Sequence, residues 1–232
     1  MPHFRLPRPP LFKGSVALFA LSVFVFGSPG YAAEWERITK DSGVVVEKKE
    51  VPGRDLPTFR GRSVIKGSFY DVLEVLDNTE RRTEWVHRCI ESRVIKKVSD
   101  FERYIYNRTK APWPVTDRDA VVRSRISVDT EKRTVRISFA ARDGIYPKRE
   151  DAVRIPYLVG YYFLEWLTDD TTRVTYELDI DPGGWLPNWL IARTSRQIPL
   201  MTLKQMQTQV RKVARGRDLA KRKARWHRRL EK

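Results

Sequence analysis

Residues 119–129, DAVVRSRISVD, alternate strictly: Ala120, Val122, Ile126 and Val128 share one face with Ser124, while Arg123, Arg125 and Ser127 point the other way. Two later runs repeat the pattern. In residues 134–142 the apolar face is Val135, Ile137, Phe139 and Ala141, and in residues 172–181 it is Val174, Tyr176, Leu178 and Ile180. One dry face and one wet face predict an antiparallel sheet covered on a single side rather than a parallel sheet buried on both. Working outward, residues 44–51 (VVVEKKEV) and 58–66 (TFRGRSVIK) read as an antiparallel pair across the turn Pro52-Gly53-Arg54-Asp55. Residues 92–98 and 101–109 read as further strands, and residues 161–168 as the hairpin partner of 172–181.

The cover for the dry face is also written in the chain. Ser68 and Asp71 form a capping box, after which Phe69, Val72, Leu73 and Leu76 make one apolar helical face. A second helical or irregular piece carries Arg81, Arg82 and Trp85. Beyond Pro182-Gly183-Gly184, Pro187 is suited to the first turn of a helix that Trp189, Leu190 and Ile191 open. Pro199 is expected to kink or restart that helix, and Leu203, Met206, Val210 and Val213 continue it at helical spacing. The predicted class is α+β, with a curved antiparallel sheet wrapped around a long C-terminal helix and room for an internal cavity.

The ends differ from the middle. Arg5, Arg8 and Lys13 precede an apolar run from Val16 to Phe26 and then small residues up to Ala32 and Ala33, the pattern of a signal peptide over residues 1–33. Its eleven residues, ten of them apolar, fall short of the roughly 20 that a spanning helix needs. Cleavage near Ala32 or Ala33 and an exported, periplasmic protein are the expectation. With Cys89 as its only cysteine the chain has no intrachain disulfide, and the His87-x-Cys89 pair lacks the further ligands of a metal site. Of the net charge of +16, residues 34–210 carry only +4, because residues 211–232 hold eleven Lys and Arg against Asp218 and Glu231. That segment reads either as an electrostatic handle for an anionic membrane surface or as a solvated helical extension. Nucleic acid is disfavoured, since Trp226 is its one aromatic.

The segment Ala111-Pro112-Trp113-Pro114-Val115-Thr116-Asp117-Arg118-Asp119 resembles the START family, whose members carry a Pro-aromatic-Pro run followed by Arg-Asp at a strand entrance. Trp85 after Arg81-Arg82, Arg154 between Val153 and Ile155, and residues 181–191 (DPGGWLPNWLI) extend the resemblance in family order over about residues 34–212. It implies a helix-grip fold and a monomeric tunnel for one lipid, sterol or similar amphiphile; the signal segment and the basic tail over residues 214–232 lie outside it, leaving a domain over residues 34–213. No cofactor is implied. The residues expected to contact such a ligand are Arg103, Ile105 and Asn107 on one strand, Val122 and Ser124 on the next, Phe139 and Tyr176 beyond them, Trp85, and Trp189 and Ile198 from the last helix.

Asn107 stands where phosphatidylcholine-binding relatives present a cage aromatic, and Ser124 where sterol-handling relatives carry an arginine, so neither pattern transfers. Arg103 is the expected partner for an anionic headgroup, against the alternative of a sheet-edge salt bridge. An enzyme on the same scaffold, or a membrane-docked interaction module, is the competing reading. The enzyme reading has little to build on, because His87 is the one histidine outside the two ends and no nucleophile with a base partner emerges from the spacing, although Glu165 among Tyr162, Leu164 and Trp166 has apolar neighbours.

Overall fold

A computed structural model of the protein describes residues 34–216 and 218–230, so the expected signal segment, residues 1–33, lies outside the described residues. The alternating runs become strands with the expected faces. In chain order they are β1 (Glu36–Asp41), β2 (Val44–Lys49), β3 (Thr58–Lys66), β4 (Cys89–Lys97), β5 (Glu102–Thr109), β6 (Asp117–Asp129), β7 (Thr134–Ala141), β8 (Ala152–Arg154), β9 (Tyr157–Thr168) and β10 (Thr171–Asp181). Their spatial order is β1-β2-β3-β10-β9-β7-β6-β5-β4, with every neighbour antiparallel. Register breaks at Arg37/Thr39, Cys89/Glu91, Val94/Lys96 and Thr171/Thr172 bend the sheet, as extra residues in a ladder do.

Two strands escaped the sequence reading. β1 has Ile38 as its single apolar residue, and the three-residue β8 pairs parallel to the start of β6. β8 continues the sheet beside the start of β6, and the loop before it, with Tyr146 against Tyr106, covers the outer face there, so residues 117–122 are buried on both sides while the clean alternation holds only beyond them. The wet face is therefore dry at one corner.

The helix α1 (Phe69–Asp77) starts at the predicted capping box, Ser68 with Asp71, and is followed by a single turn of 3-10 helix at Glu80–Glu84. The last strand leads into α2 (Asn188–Arg215). Pro199 does not restart this helix; it sits inside one continuous element, over Gly61 of β3. A Cβ on Gly61 would lie 2.8 Å from Leu203 Cδ1 and 3.1 Å from Pro199 Cβ, so the absent side chain is what lets helix and strand approach. Leu203, Met206 and Val210 fill the dry face below that contact with Val44, Val46, Ile65, Leu164 and Val174.

The basic C-terminus is neither a free handle nor a solvated extension. Residues Leu219–Leu230 form α3, which packs on α1. Trp226 is 1% exposed within the main core, and Arg222 Nε donates to Asp71 Oδ1 at 3.1 Å. The other oxygen of the same carboxylate accepts from the Ser68 backbone and hydroxyl. Arg229 pairs with Asp77, Arg225 with Glu74, and the Tyr70 hydroxyl with His227. α1 was expected to be apolar on one face, yet Tyr70, Asp71 and Val75 are buried as well, because α3 occupies the second face.

Removing one member of a buried ion pair strands the other, so Asp71→Ala should cost about 3 kcal/mol, including the lost cap. Trp226→Ala should cost a similar amount, about 3 kcal/mol, by leaving a cavity. Urea denaturation of the two variants measures both; losses below about 0.5 kcal/mol, the size of an ordinary surface substitution, would mean that α3 is not docked in solution.

Candidate functional site

Between the dry face and the first half of α2 lies a cavity of about 220 Å³. Its strand walls are Val122, Phe139, Leu158, Tyr162, Tyr176, Leu178 and Ile180, and α2 contributes Leu190, Ile191, Thr194 and Ile198. Gly160 makes the floor possible: a Cβ there would sit 2.6 Å from the Phe139 ring, which lies across the sheet beside Tyr162 and Tyr176. Those two tyrosines stack at 4.5 Å between centroids. Burial pushes the Tyr176 hydroxyl up to about 12 and raises that of Tyr162 well above its ordinary value, so both keep their protons at neutral pH.

α2 roofs this space. Its second half is tied down by Thr202, which accepts from the His87 amide, by Gln207 to Ser63, by Gln209 to Glu84 and by Lys204 to Asp41. The half over the cavity opens at Pro187 with no side-chain cap, and the Thr194 hydroxyl turns back onto the Leu190 carbonyl.

Two loops border the mouth, residues 110–116 and 182–187. Arg118 joins them: Nη1 donates to the Thr116 carbonyl at 2.5 Å and Nη2 to the carbonyls of Gly183 at 3.1 Å and Trp185 at 3.4 Å. Burial lowers the pKa of this guanidinium, the direction expected for a cation surrounded by dipoles and no ion-pairing carboxylate. Trp113 and Trp185, one on each loop, are 91% and 77% exposed. Asp119, fully buried, accepts two hydrogen bonds from Arg154, from Nε at 2.7 Å and Nη2 at 3.1 Å. Arg154 also reaches Asp143 and the carbonyls of Tyr146 and Pro147, so Asp119 and Arg154 brace the entrance loops outside the cavity, while Arg118 both joins the loops and borders the cavity.

Of the ten residues expected to contact a ligand, Asn107, Val122, Phe139, Tyr176 and Ile198 line the cavity. Four do not. Arg103 donates to the carboxylate and carbonyl of Asp77, both at 2.8 Å, where the end of α1 closes over its row of the sheet. The headgroup role expected for it is thereby overturned in favour of the ion pair. Ser124, opposite Arg103 in register, is buried in that same row, and Ile105 lies in a small core with Ala120 and Ile155. Trp85 is packed edge-on against Tyr162, on the side facing α1 and α3. Trp189 falls in the first turn of α2, and its side chain lies outside the described set.

The sequence reading missed the polar lining: Arg82, His87, Arg88, Cys89, Thr109, Lys110 and Arg118. Arg82 and His87 come from the irregular segment after α1, where no periodicity marks a facing side. Burial, helped by Arg88, holds His87 below its ordinary value, and burial pushes the Cys89 thiol up to about 11.

Replacing Arg118 with Met removes three carbonyl partners and should cost about 1–3 kcal/mol. Amide exchange in residues 182–187 should quicken, with the strands unaffected; unchanged exchange there would remove the pinning role. For His87 the unfolded chain takes up a proton before the folded one as pH falls. Stability linked to the neutral ring is therefore complete above about 6.5 and is lost as pH drops below it. His87→Gln should flatten the fall in Tm between pH 7 and 5, and identical pH profiles for the two proteins would contradict this.

The START domain family model matches residues 30–216. An uncharacterized protein of Pseudomonas aeruginosa is 30% identical over 205 residues, covering 86% of this chain and 99% of its own length. Mouse phosphatidylcholine transfer protein is 24% identical over 163 residues, covering 68% of this chain and 75% of its own. Among solved structures, a STAR-related lipid transfer protein fragment from Xanthomonas axonopodis superposes with a TM-score of 0.70 at 30% identity, covering 76% of this chain and 98% of the fragment. With the helix-grip architecture and the cavity under α2, these likenesses establish that the chain belongs to the START domain family of lipid-binding and lipid-transfer proteins.

Proposed function

We propose that this protein binds a single amphiphile between the sheet and the first half of α2 and carries it between membranes, in the periplasm, after removal of residues 1–33 near Ala32 or Ala33. The observation that carries the reading is the cavity itself, apolar along its strand walls and polar at its ends. Removing an acyl chain from water stabilises the complex by roughly 25 cal/mol per Å² of apolar surface covered. At about 220 Å³ the cavity is smaller than the roughly 300–1,000 Å³ of drug-sized ligand sites, so a two-chain lipid needs α2 to swing outward. The half of α2 over the cavity, which opens at Pro187 without a side-chain cap, is the part suited to that movement.

Delivery requires the mouth to meet a membrane. Trp113 and Trp185 flank it, and indole rings favour the headgroup layer of a bilayer. Lys223 and Arg228 on the exposed side of α3 supply attraction to anionic lipid, replacing the whole tail as the proposed contact. The cavity chemistry favours carriage over catalysis. A thiol near 11 beside a histidine held below its ordinary value does not form the thiolate–imidazolium pair of a cysteine nucleophile.

Native mass spectrometry of the protein, purified under non-denaturing conditions or incubated with mixed-lipid vesicles, should find one amphiphile per chain. Leu158→Trp and Ile180→Trp fill the cavity from paired positions on the adjacent strands β9 and β10 and should abolish that adduct, with a stability loss of about 1–3 kcal/mol. A protein that is empty under all loading conditions, or a cavity-filled variant that loads as well as the parent, would sink the carrier reading.

A further inference from the structure

We infer that the groove where α1, the end of α2 and α3 meet is a second binding site, separate from the cavity, for a phosphate-bearing anion: a diphosphate, or a phosphomonoester on an organic group.

α3 lies beyond residue 216, where the family match ends, so its docking adds a surface outside the matched domain. It leaves a groove of about 640 Å³ against α1 and α2, larger than the cavity under the first half of α2. Lys221, Arg225 and Arg228 follow one another at spacings of 4 and 3 and so form a single stripe of α3 along this groove. Lys212 from the end of α2 and Arg81 from the 3-10 turn border the same space, as does Arg222. Two carboxylates, Glu74 and Asp218, stand against these six cations.

Pairing uses the carboxylates up. Arg225 pairs with Glu74, Lys221 with Asp218, and Arg81 with Glu84. Lys212 and Arg228 have no carboxylate partner among the described residues, and like charges brought to one groove from two helices repel unless an anion joins them. α3 also begins at the edge of the groove, which adds the partial positive charge of a helix N-terminus.

Two buried donors show what that anion would supply. Arg222, 8% exposed, gives its Nε to Asp71; its Nη2 lies 2.9 Å from the same carboxylate oxygen but out of line for a hydrogen bond, and is sealed from solvent without an acceptor. Trp85, fully buried at the base of the groove, holds an indole Nε1–H that also lacks an acceptor. Buried donors left unmet are costly. A phosphate group, with oxygens spread over a tetrahedron, accepts from several sides at once and gains charge-assisted hydrogen bonds from the cations around it. The groove has room for more than one phosphate, and Val75 and Val213 offer an apolar wall to an organic group.

The test titrates the full chain with inorganic pyrophosphate at low ionic strength, following the heat of binding and the NMR signals of the seven indole N–H groups, with that of Trp85 assigned through Trp85→Phe. One pyrophosphate should bind per chain and move the Trp85 signal. Lys212→Gln and Arg228→Gln together, both on exposed side chains, should weaken binding at least about tenfold, the scale of one charge-assisted hydrogen bond. Lys148→Gln, on the loop before β8, should leave it intact. Absence of saturable binding by about 1 mM pyrophosphate, undiminished binding in the folded double variant, or binding that leaves the Trp85 signal in place overturns the site. Vesicles of phosphatidylcholine containing phosphatidic acid separate the sources of the phosphate. Sedimentation with them that pyrophosphate competes away, and that the double variant loses, assigns it to a lipid headgroup; pyrophosphate binding without sedimentation assigns it to a soluble compound. Both uphold the groove, and the carrier reading stands or falls separately on lipid loading.

Discussion

The approach of α2 to β3 at Gly61 is the contact from which the rest of the architecture follows. Because Gly61 has no side chain, Pro199 and Leu203 settle directly onto the strand, and the lower half of the helix becomes part of the core. The sheet is bent, and α2, pinned at that point, leaves a gap over it further up. The space left under residues 190–198 is the cavity. A larger residue at position 61 would lift the helix along its whole length and replace a localised void with a general loss of packing.

Much of this was legible in the sequence because it depends on local periodicity. Alternation in residues 119–129, 134–142 and 172–181 marked the strands and their dry face, and Ser68 with Asp71 marked the start of α1. What escaped depends on partners remote in sequence. Arg103 and Asn107 share a strand face, but only the fold reveals that α1 ends above the first and that the cavity opens beside the second. Arg82 and His87 sit in an irregular segment, where sequence says nothing about direction. Pro199 reads as a helix breaker by propensity, and its packing over Gly61 overrides that tendency.

The family motif acquires a physical meaning from the structure. Arg118 and Asp119 are adjacent in the chain and point to opposite sides of β6, as neighbours on a strand must. The first gathers the carbonyls of the two mouth loops, and the second anchors the segment around β8 through Arg154. One dipeptide thus shapes the entrance from inside and braces the sheet from outside.

Asp71 deserves a kinetic reading as well as a structural one. Its two oxygens serve the first turn of α1 and a helix that begins about 150 residues later, so the carboxylate joins an early segment of the chain to its last. During vectorial synthesis α1 emerges long before its second face has anything to pack against. Asp71 and the apolar groups that later meet Trp226 must wait, solvated or provisionally covered, until residues 219–230 leave the ribosome. Burial of the second face of α1 therefore waits on α3, and a product truncated before residue 219 is left with an unfinished α1.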